Sequence, residues 1–281
     1  MKTCTYCGKE YSDETTICET DGEPLRLETV LASMADSNVM AGTETQLNFP
    51  EYQWSARDAW KCIGMILVLS VCFALAVMAL SSLFPVIRLW RSSGYGYFSI
   101  GVIGFTIWTL TVTYFARTQT FYDFWKAIGL HGKPTDLVWF GISMALVIRF
   151  SEHLLLVHGW GNGVFNEGLA GFRHALGIGR FLFLFAPVIL SPFFEEIVNR
   201  GFIYKAFRGS YSVAATMTLM MGWTAVTHWG YFTHSLLASL DLSLLAVVLC
   251  FLREKSDSLW DCVFCHFTYN VSNLFTSRVF Q

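Results

Sequence analysis

Three ionisable side chains lie within one apolar segment of the sequence. Glu195, Glu196 and Arg200 occur in the run LSPFFEEIVNRGFIY. Each ionisable group at bilayer depth costs roughly 2.5–3.5 kcal/mol, so such groups are expected to be paired or functional. Glu196 and Arg200 are four residues apart and share one helical face, which predicts a structural ion pair. Glu195 lies about 100° around the helix without such a partner, and is therefore a candidate for chemistry.

Polar residues in two later apolar segments could complete a hydrolytic site. His228 occurs in GWTAVTHWGY, whereas His266 and Asn270 occur four residues apart in CHFTYN and share a helical face. Glu195 could take a proton from a water molecule that His228 orients. His266 and Asn270 could donate hydrogen bonds to the oxyanion of a tetrahedral intermediate. The spacing thus predicts that side chains from three helices converge on one pocket.

The order of these motifs resembles a known family. Glu-Glu-x-x-x-Arg, a histidine on the next helix and His-x-x-x-Asn on a later one are similar to the CAAX protease and bacteriocin-processing family of intramembrane glutamic endopeptidases. The resemblance covers about residues 136–278. It implies a peptide or membrane-associated protein as substrate and no cofactor for catalysis. The second motif usually reads Phe-x-x-x-His, whereas Thr224 stands four residues before His228 in this sequence.

The resemblance also implies a role for each matching residue. Glu195 would be the general base, and His228 would be its partner in activating water. His266 and Asn270 would be the oxyanion donors. Glu196 and Arg200 would be mainly structural, as their spacing also predicts.

Two other functions remain open from the residues alone. A non-catalytic membrane scaffold or immunity-type protein could use the same side chains to hold its helices together. A metal-dependent hydrolase could use Glu195, His228 and His266 as ligands of a type that zinc accepts. Three other histidines are interpreted as interhelical hydrogen-bond donors, namely His153, His158 and His234.

The composition is typical of a membrane protein. The 281 residues are 54% hydrophobic and only 14% charged, with a mean hydropathy of +0.46, against about 25% charged residues in soluble domains. Runs of about 20 apolar residues, long enough to cross about 30 Å of hydrocarbon, recur from residue 62 onward. The net charge of −2 argues against nucleic acid as a partner. We therefore expect an all-α, polytopic helix bundle in a lipid bilayer.

Hydropathy divides the chain into a polar N-terminus and about seven spans. The stretch 121–134 is interpreted as an amphipathic connector at the membrane surface, and 158–180, with seven glycines, as a loop. The predicted spans cover about 61–84, 97–115, 136–157, 181–207, 211–229, 234–252 and 258–278. The predicted parts of the chain are a knuckle at 1–26, a flexible linker at 27–56, N-terminal spans with the connector at 57–135, and a catalytic membrane core at 136–281.

Basic residues near the span ends favour a cytoplasmic N-terminus, because cytoplasmic loops retain Lys and Arg. With the N-terminus inside, nine basic residues fall on the inner side and five on the outer side. The inner residues are Arg57, Lys61, Arg117, Lys126, Lys133, Lys205, Arg208, Arg253 and Lys255. The outer residues are Arg88, Arg91, Arg173, Arg180 and Arg278.

The N-terminal cysteines have the spacing of a small zinc knuckle. Cys4 and Cys7 form one pair, and Cys18 with Asp21 in the run CETDG could form the second. Zinc accepts sulfur and carboxylate ligands in tetrahedral geometry. So short a segment with few apolar residues has no core of its own, so the metal would supply the folding energy. The segment resembles the zinc ribbons that precede many bacterial membrane proteins, which implies a structural zinc ion.

Overall fold

The described part of the chain is almost entirely helical. The computed structural model describes residues 2–3, 9–12, 14–15, 17–18, 54–118, 120–159 and 177–276. This architecture confirms the predicted all-α bundle; the described N-terminal residues add a short antiparallel ladder, β1 Lys2–Thr3 with β2 Glu10–Tyr11. In chain order the helices are α1 Ala56–Leu83, α2 Pro85–Arg91, α3 Gly94–Ala116, α4 Phe121–Ala127, α5 Leu137–Val157, α6 Ile178–Phe185, α7 Ser191–Glu196, α8 Tyr204–Arg208, α9 Val213–Thr227, α10 Trp229–His234, α11 Leu236–Ser256 and α12 Leu259–Thr276.

Five helical stretches among the described residues are long and apolar enough to cross a membrane. Their bounds are Ala56–Leu83, Gly94–Ala116, Leu137–Val157, Ile178–Arg208 and Leu236–Ser256. Two of the seven predicted spans do not meet both criteria. Helix α9 has only 15 residues, which at 1.5 Å per residue reach about 22 Å. Helix α12 has 18 residues but includes polar side chains such as Asp261 and His266, which lower its hydropathy.

The span Ile178–Arg208 is one continuous helix, called the central rod below. Its α-helical winding is interrupted by π-helical winding at two places. Helices α6, α7 and α8 are joined by two π-helical turns, π1 at Ala186–Leu190 and π2 at Ile197–Ile203. All seven residues of π2 are buried, so this part of the rod lies at the centre of the bundle. π-Helical turns are rare and occur frequently at functional sites. The two turns flank the carboxylates at positions 195 and 196.

Helix α12 packs closely against α5, α11 and the central rod. Gly141 of α5 permits this approach, because a Cβ atom there would lie 2.8 Å from Leu252 of α11 and 3.1 Å from Cys265 of α12. Both distances are shorter than ordinary contacts between carbon atoms. A larger residue at position 141 would therefore require the side chains of Leu252 and Cys265 to shift.

The predicted surface connector has one face in the core. A capping box between Thr120 and Asp123 begins α4. Phe124 and Ile128 are fully buried, whereas Phe121 is largely exposed. Arg253 of α11 anchors the end of this segment, because its Nη2 donates to the Ile128 carbonyl oxygen at 3.0 Å. The segment is thus amphipathic, with its apolar face packed on protein.

Most of the predicted zinc knuckle lies outside the described residues. The residues that are not described include Cys4, Cys7 and Asp21. Residues 27–53 of the predicted linker and 160–176 of the predicted loop are also not described. Cys18 is described: its side chain is buried, and its Sγ lies 3.2 Å from the Tyr11 hydroxyl. Within the ranges that are described, no three potential ligands are close enough to hold a metal ion. The zinc site stays a prediction.

Candidate active site

Glu195 lies near the end of α7, between the two π-helical turns. Its side chain is half-buried, and its Oε1 accepts a hydrogen bond from the Ser191 hydroxyl one turn earlier. In the part of the chain that the structure covers, no hydrogen bond joins Glu195 to His228 or His266. The carboxylate is therefore held at one oxygen by serine, and its other oxygen is left to contact water or substrate.

Glu196 is the fully buried member of the carboxylate pair, with none of its surface exposed. Its Oε1 lies 3.3 Å from Arg200 Nη1 and 2.8 Å from His266 Nδ1. The ion pair between positions 196 and 200 is thus present, and it extends across the helix interface to α12. The sequence predicts that His266 shares a pocket with Glu195, and the hydrogen bond that His266 makes in the structure is with the neighbouring Glu196.

The contact with Glu196 fixes the protonation of one nitrogen in the His266 ring. A carboxylate beside a guanidinium can only accept a hydrogen bond, so Nδ1 of His266 carries a proton. The second ring nitrogen, Nε2, can then donate only if the ring is an imidazolium.

Asn270 extends from α12, one turn after His266. Its Nδ2 donates a hydrogen bond to the carbonyl oxygen of Pro187 in π1, at 2.8 Å. The amide group has two N–H bonds, so one remains for another acceptor. His266 and Asn270 thus both contact the central rod, at positions on either side of Glu195.

His228 ends α9 and precedes α10. Its Nδ1 lies 3.0 Å from the Thr227 hydroxyl and 3.2 Å from the Thr224 carbonyl oxygen. The half-buried ring contacts Tyr231, with 6.1 Å between the ring centroids. These contacts place His228 against the end of its own helix, and among the described residues it has no hydrogen bond to the other three candidates.

One buried hydrogen bond ties the helix of His228 to the central rod. Trp223 Nε1 donates to Asn199 Oδ1 of π2 at 2.8 Å. Both residues are buried, with 5% and 7% of their surfaces exposed. Because Asn199 follows Glu196 by three residues, this bond fixes the distance between α9 and the carboxylate pair. The sequence offered no motif for it.

Replacing Trp223 by phenylalanine should destabilise the protein. The change keeps an aromatic ring but leaves the buried Asn199 oxygen without its donor, at a cost of about 1–3 kcal/mol. Denaturant unfolding in detergent micelles measures the difference. Trp139→Phe is the matched control, since Trp139 is 69% exposed. Equal unfolding free energies for the two variants would contradict the assigned role.

A cavity of about 300 Å³ lies between α3 and π1. Most of its lining is apolar. Two of its lining residues, Pro187 and Ser191, are the hydrogen-bond partners of Asn270 and Glu195. The cavity is lined by Arg91, Tyr97, Ile100, Gly101, Phe105, Ala186, Pro187 and Ser191. One wall of this cavity therefore carries the groups that hold two of the candidate side chains.

A second buried charge cluster lies next to the candidate site, and sequence reasoning missed it. Arg149 of α5 donates to Glu152 and, at 2.7 Å each, to Asp241 of α11 and Asn273 of α12. The Tyr269 hydroxyl also donates to Asp241. The signal was available, because charged residues within apolar spans are rare and usually paired or functional.

This charge cluster and the candidate site share one face of α12. Residues 266 and 270 contact the central rod, whereas residues 269 and 273 contact α11 and α5. Spacings of three and four residues place all four on neighbouring positions of the helix surface. The cluster therefore fixes the rotation of α12 about its axis.

Comparison with known proteins gives one match. A model of the type II CAAX prenyl endopeptidase Rce1-like family matches residues 177–272, about a third of the chain. The matched segment begins just before the central rod and includes all four candidate residues. No curated protein and no solved structure matched the chain.

Proposed function

We propose that this chain is an intramembrane endopeptidase, related to the family whose model matches residues 177–272. It would hydrolyse a peptide bond in a membrane-associated protein or peptide, with Glu195 as general base. The observation that carries the proposal is that Ser191 and Pro187 line the same cavity. The Ser191 hydroxyl donates a hydrogen bond to Glu195, and the Pro187 carbonyl oxygen accepts one from Asn270. The family match supports the reaction class, since the family is one of peptidases.

The first step in this mechanism is activation of water. The unshared oxygen of Glu195 takes a proton from a water molecule, and His228 orients that molecule. The water oxygen then bonds to the substrate carbonyl carbon, whose oxygen becomes an oxyanion. Glu195 passes the proton to the leaving amine as the C–N bond breaks, so the carboxylate is regenerated.

The second part of the mechanism is stabilisation of the oxyanion. Asn270 supplies the N–H that Pro187 leaves unused, and His266, whose ring Glu196 holds through Nδ1, is the second donor. Donors already fixed in place need no reorganisation during the reaction. Glu196 and Arg200 thus act on the chemistry through His266.

The apolar cavity provides a place for the substrate. Its volume is at the lower end of the range of about 300–1,000 Å³ that is typical of ligand pockets. Its walls would accept apolar substrate groups beside the reacting carbonyl. Gly101 lines the cavity, and a Cβ atom added there would have no other atom within 4 Å.

Gly101→Leu should place an apolar side chain in this cavity, because a Cβ atom at position 101 has open space around it. Displacing one apolar substrate group from the cavity would cost about 1.5–3 kcal/mol, which lowers kcat/KM by about 10- to 160-fold. The measurement is the cleavage rate in reconstituted membranes. Gly222→Leu is the control, since Gly222 of α9 also has free space around its Cβ position and does not line the cavity. Equal rates for both variants would exclude the cavity as the substrate site.

An isotope experiment tests the reaction class. Membranes containing the protein are incubated in ¹⁸O-water with and without a chelator, and new peptide termini are identified by mass spectrometry. The proposal predicts new carboxyl termini carrying one ¹⁸O atom, formed equally in both arms. A variant lacking residues 1–26 controls for any zinc in the predicted knuckle. Loss of cleavage on chelation would favour the metal-dependent hydrolase, and absence of new termini would favour the scaffold.

A further inference from the structure

The carbonyl oxygen of Pro187 lacks the backbone N–H donor that a regular helix would provide, for two reasons. In an α-helical register its donor would be the N–H of Ser191, but this N–H donates to Ala186 in the π-helical turn. In the π-helical register the donor would be residue 192, five positions on. That residue is proline, which has no N–H. No backbone donor in either register therefore reaches the carbonyl oxygen.

Asn270 takes the place of the missing backbone donor. Its Nδ2 lies 2.8 Å from the Pro187 carbonyl oxygen. A carbonyl oxygen only accepts, so this bond determines which end of the amide faces π1. It turns Nδ2 towards the cavity wall that Pro187 forms and fixes the direction of the remaining N–H.

We propose that Pro192 is a positioning residue for Asn270. By withholding an N–H it keeps the Pro187 carbonyl open to the asparagine, and so holds the second amide N–H in one direction. The role of that N–H in stabilising an oxyanion rests on the proposed function. The orientation of the amide rests on the geometry alone, so the two parts can fail separately.

A proline at this place could instead act only by loosening the helix before Glu195. The two roles differ in what they do to Asn270. A positioning role makes the effects of changing residues 192 and 270 interdependent, whereas a loosened helix acts on Glu195 and leaves the two effects independent. A double-mutant cycle separates them.

The test measures kcat and KM for wild type, Pro192→Ala, Asn270→Ala and the double variant, on a peptide spanning a cleavage site found by terminus analysis. Asn270→Ala should lower kcat by about 10²–10³-fold, as for the loss of one oxyanion donor. Pro192→Ala should lower kcat by a smaller factor with KM unchanged. The double variant should be no slower than Asn270→Ala alone. Multiplicative losses, or wild-type activity of Pro192→Ala, would overturn the proposal.

Two controls separate the missing N–H from other effects of proline. Pro85→Ala, at the first position of α2, reports on the general cost of losing a proline. An α-hydroxy acid incorporated at position 192 also lacks the N–H, so it should restore the rate that Pro192→Ala loses. Failure of that rescue in a folded protein would assign the effect to the ring rather than to the absent donor.

A spectroscopic readout does not depend on activity. The side-chain amide ¹⁵N–¹H signals of Asn270, identified by their loss in Asn270→Ala, should shift in Pro192→Ala and stay in place in Pro85→Ala. Unchanged signals in Pro192→Ala would overturn the positioning role. Shifted signals in a protein without any Glu195-dependent cleavage would support the positioning role and reject the proposed function.

Discussion

Glu195→Gln is expected to abolish cleavage while the protein remains folded and inserted. The amide has nearly the shape of the carboxylate and can still accept the Ser191 hydrogen bond, but it cannot take a proton from water. General-base catalysis contributes about 10²–10⁴-fold to a rate, so the loss should be at least of this size. Glu195 is half-buried and forms no ion pair among the described residues. The unfolding temperature of the Glu195→Gln protein should therefore differ little from that of the wild type.

A comparison with a remote carboxylate controls for the loss of one negative charge. Asp136 precedes α5, is exposed and makes no side-chain cap hydrogen bond. Asp136→Asn should therefore cleave at the wild-type rate. Under the scaffold alternative, Glu195→Gln would lower the thermal stability and leave any cellular activity intact, which is the reverse of the expected pattern.

Arg200→Met should produce the largest loss of stability. The arginine is the cationic partner of Glu196, a carboxylate with no exposed surface. Removing one member of a buried ion pair leaves the other charge uncompensated, at a cost of about 3–5 kcal/mol. The free energy of unfolding by denaturant, measured in detergent micelles, gives the difference. Arg57→Met is the control, since Arg57 is exposed at the start of α1.

A second substitution distinguishes loss of the ion pair from loss of packing. Adding Glu196→Gln to Arg200→Met removes the uncompensated charge, so part of the lost stability should return. The same double variant should remain slow in cleavage, because His266 then lacks its carboxylate partner. If Arg200→Met unfolds at the same denaturant concentration as Arg57→Met, the buried pair does not stabilise this bundle.

The fold class could be predicted because hydropathy and span length depend only on local composition. The number of membrane spans was harder to predict from the sequence. Helix α9 is short and α12 carries polar residues on the face that packs inward, so neither meets both criteria. Whether such a helix crosses the bilayer depends on tertiary contacts that cover its polar groups, and those contacts are not encoded in a hydropathy window. The cytoplasmic N-terminus stays a prediction.

The spacing of the sequence identifies candidate residues of the site, but it does not predict which side chains form hydrogen bonds with each other across helices. The i, i+4 rule places Glu196 beside Arg200 within one helix. The choice between Glu195 and Glu196 as partner of His266 depends on the rotation of α12 against the central rod. Two π-helical turns alter that rotation, and no simple propensity rule predicts them. The prolines at 187 and 192 are visible in the sequence, but the hydrogen bond from Asn270 to the Pro187 carbonyl oxygen is not.

We propose that the carboxylate of Glu195 activates the water that hydrolyses peptide bonds within the membrane. The most direct test compares protein termini in membranes from cells that carry the wild-type protein or Glu195→Gln at equal abundance. We expect a set of new termini in the wild-type sample that is absent from the variant and lies in membrane-associated proteins. Identical sets of termini in the two samples would contradict the claim.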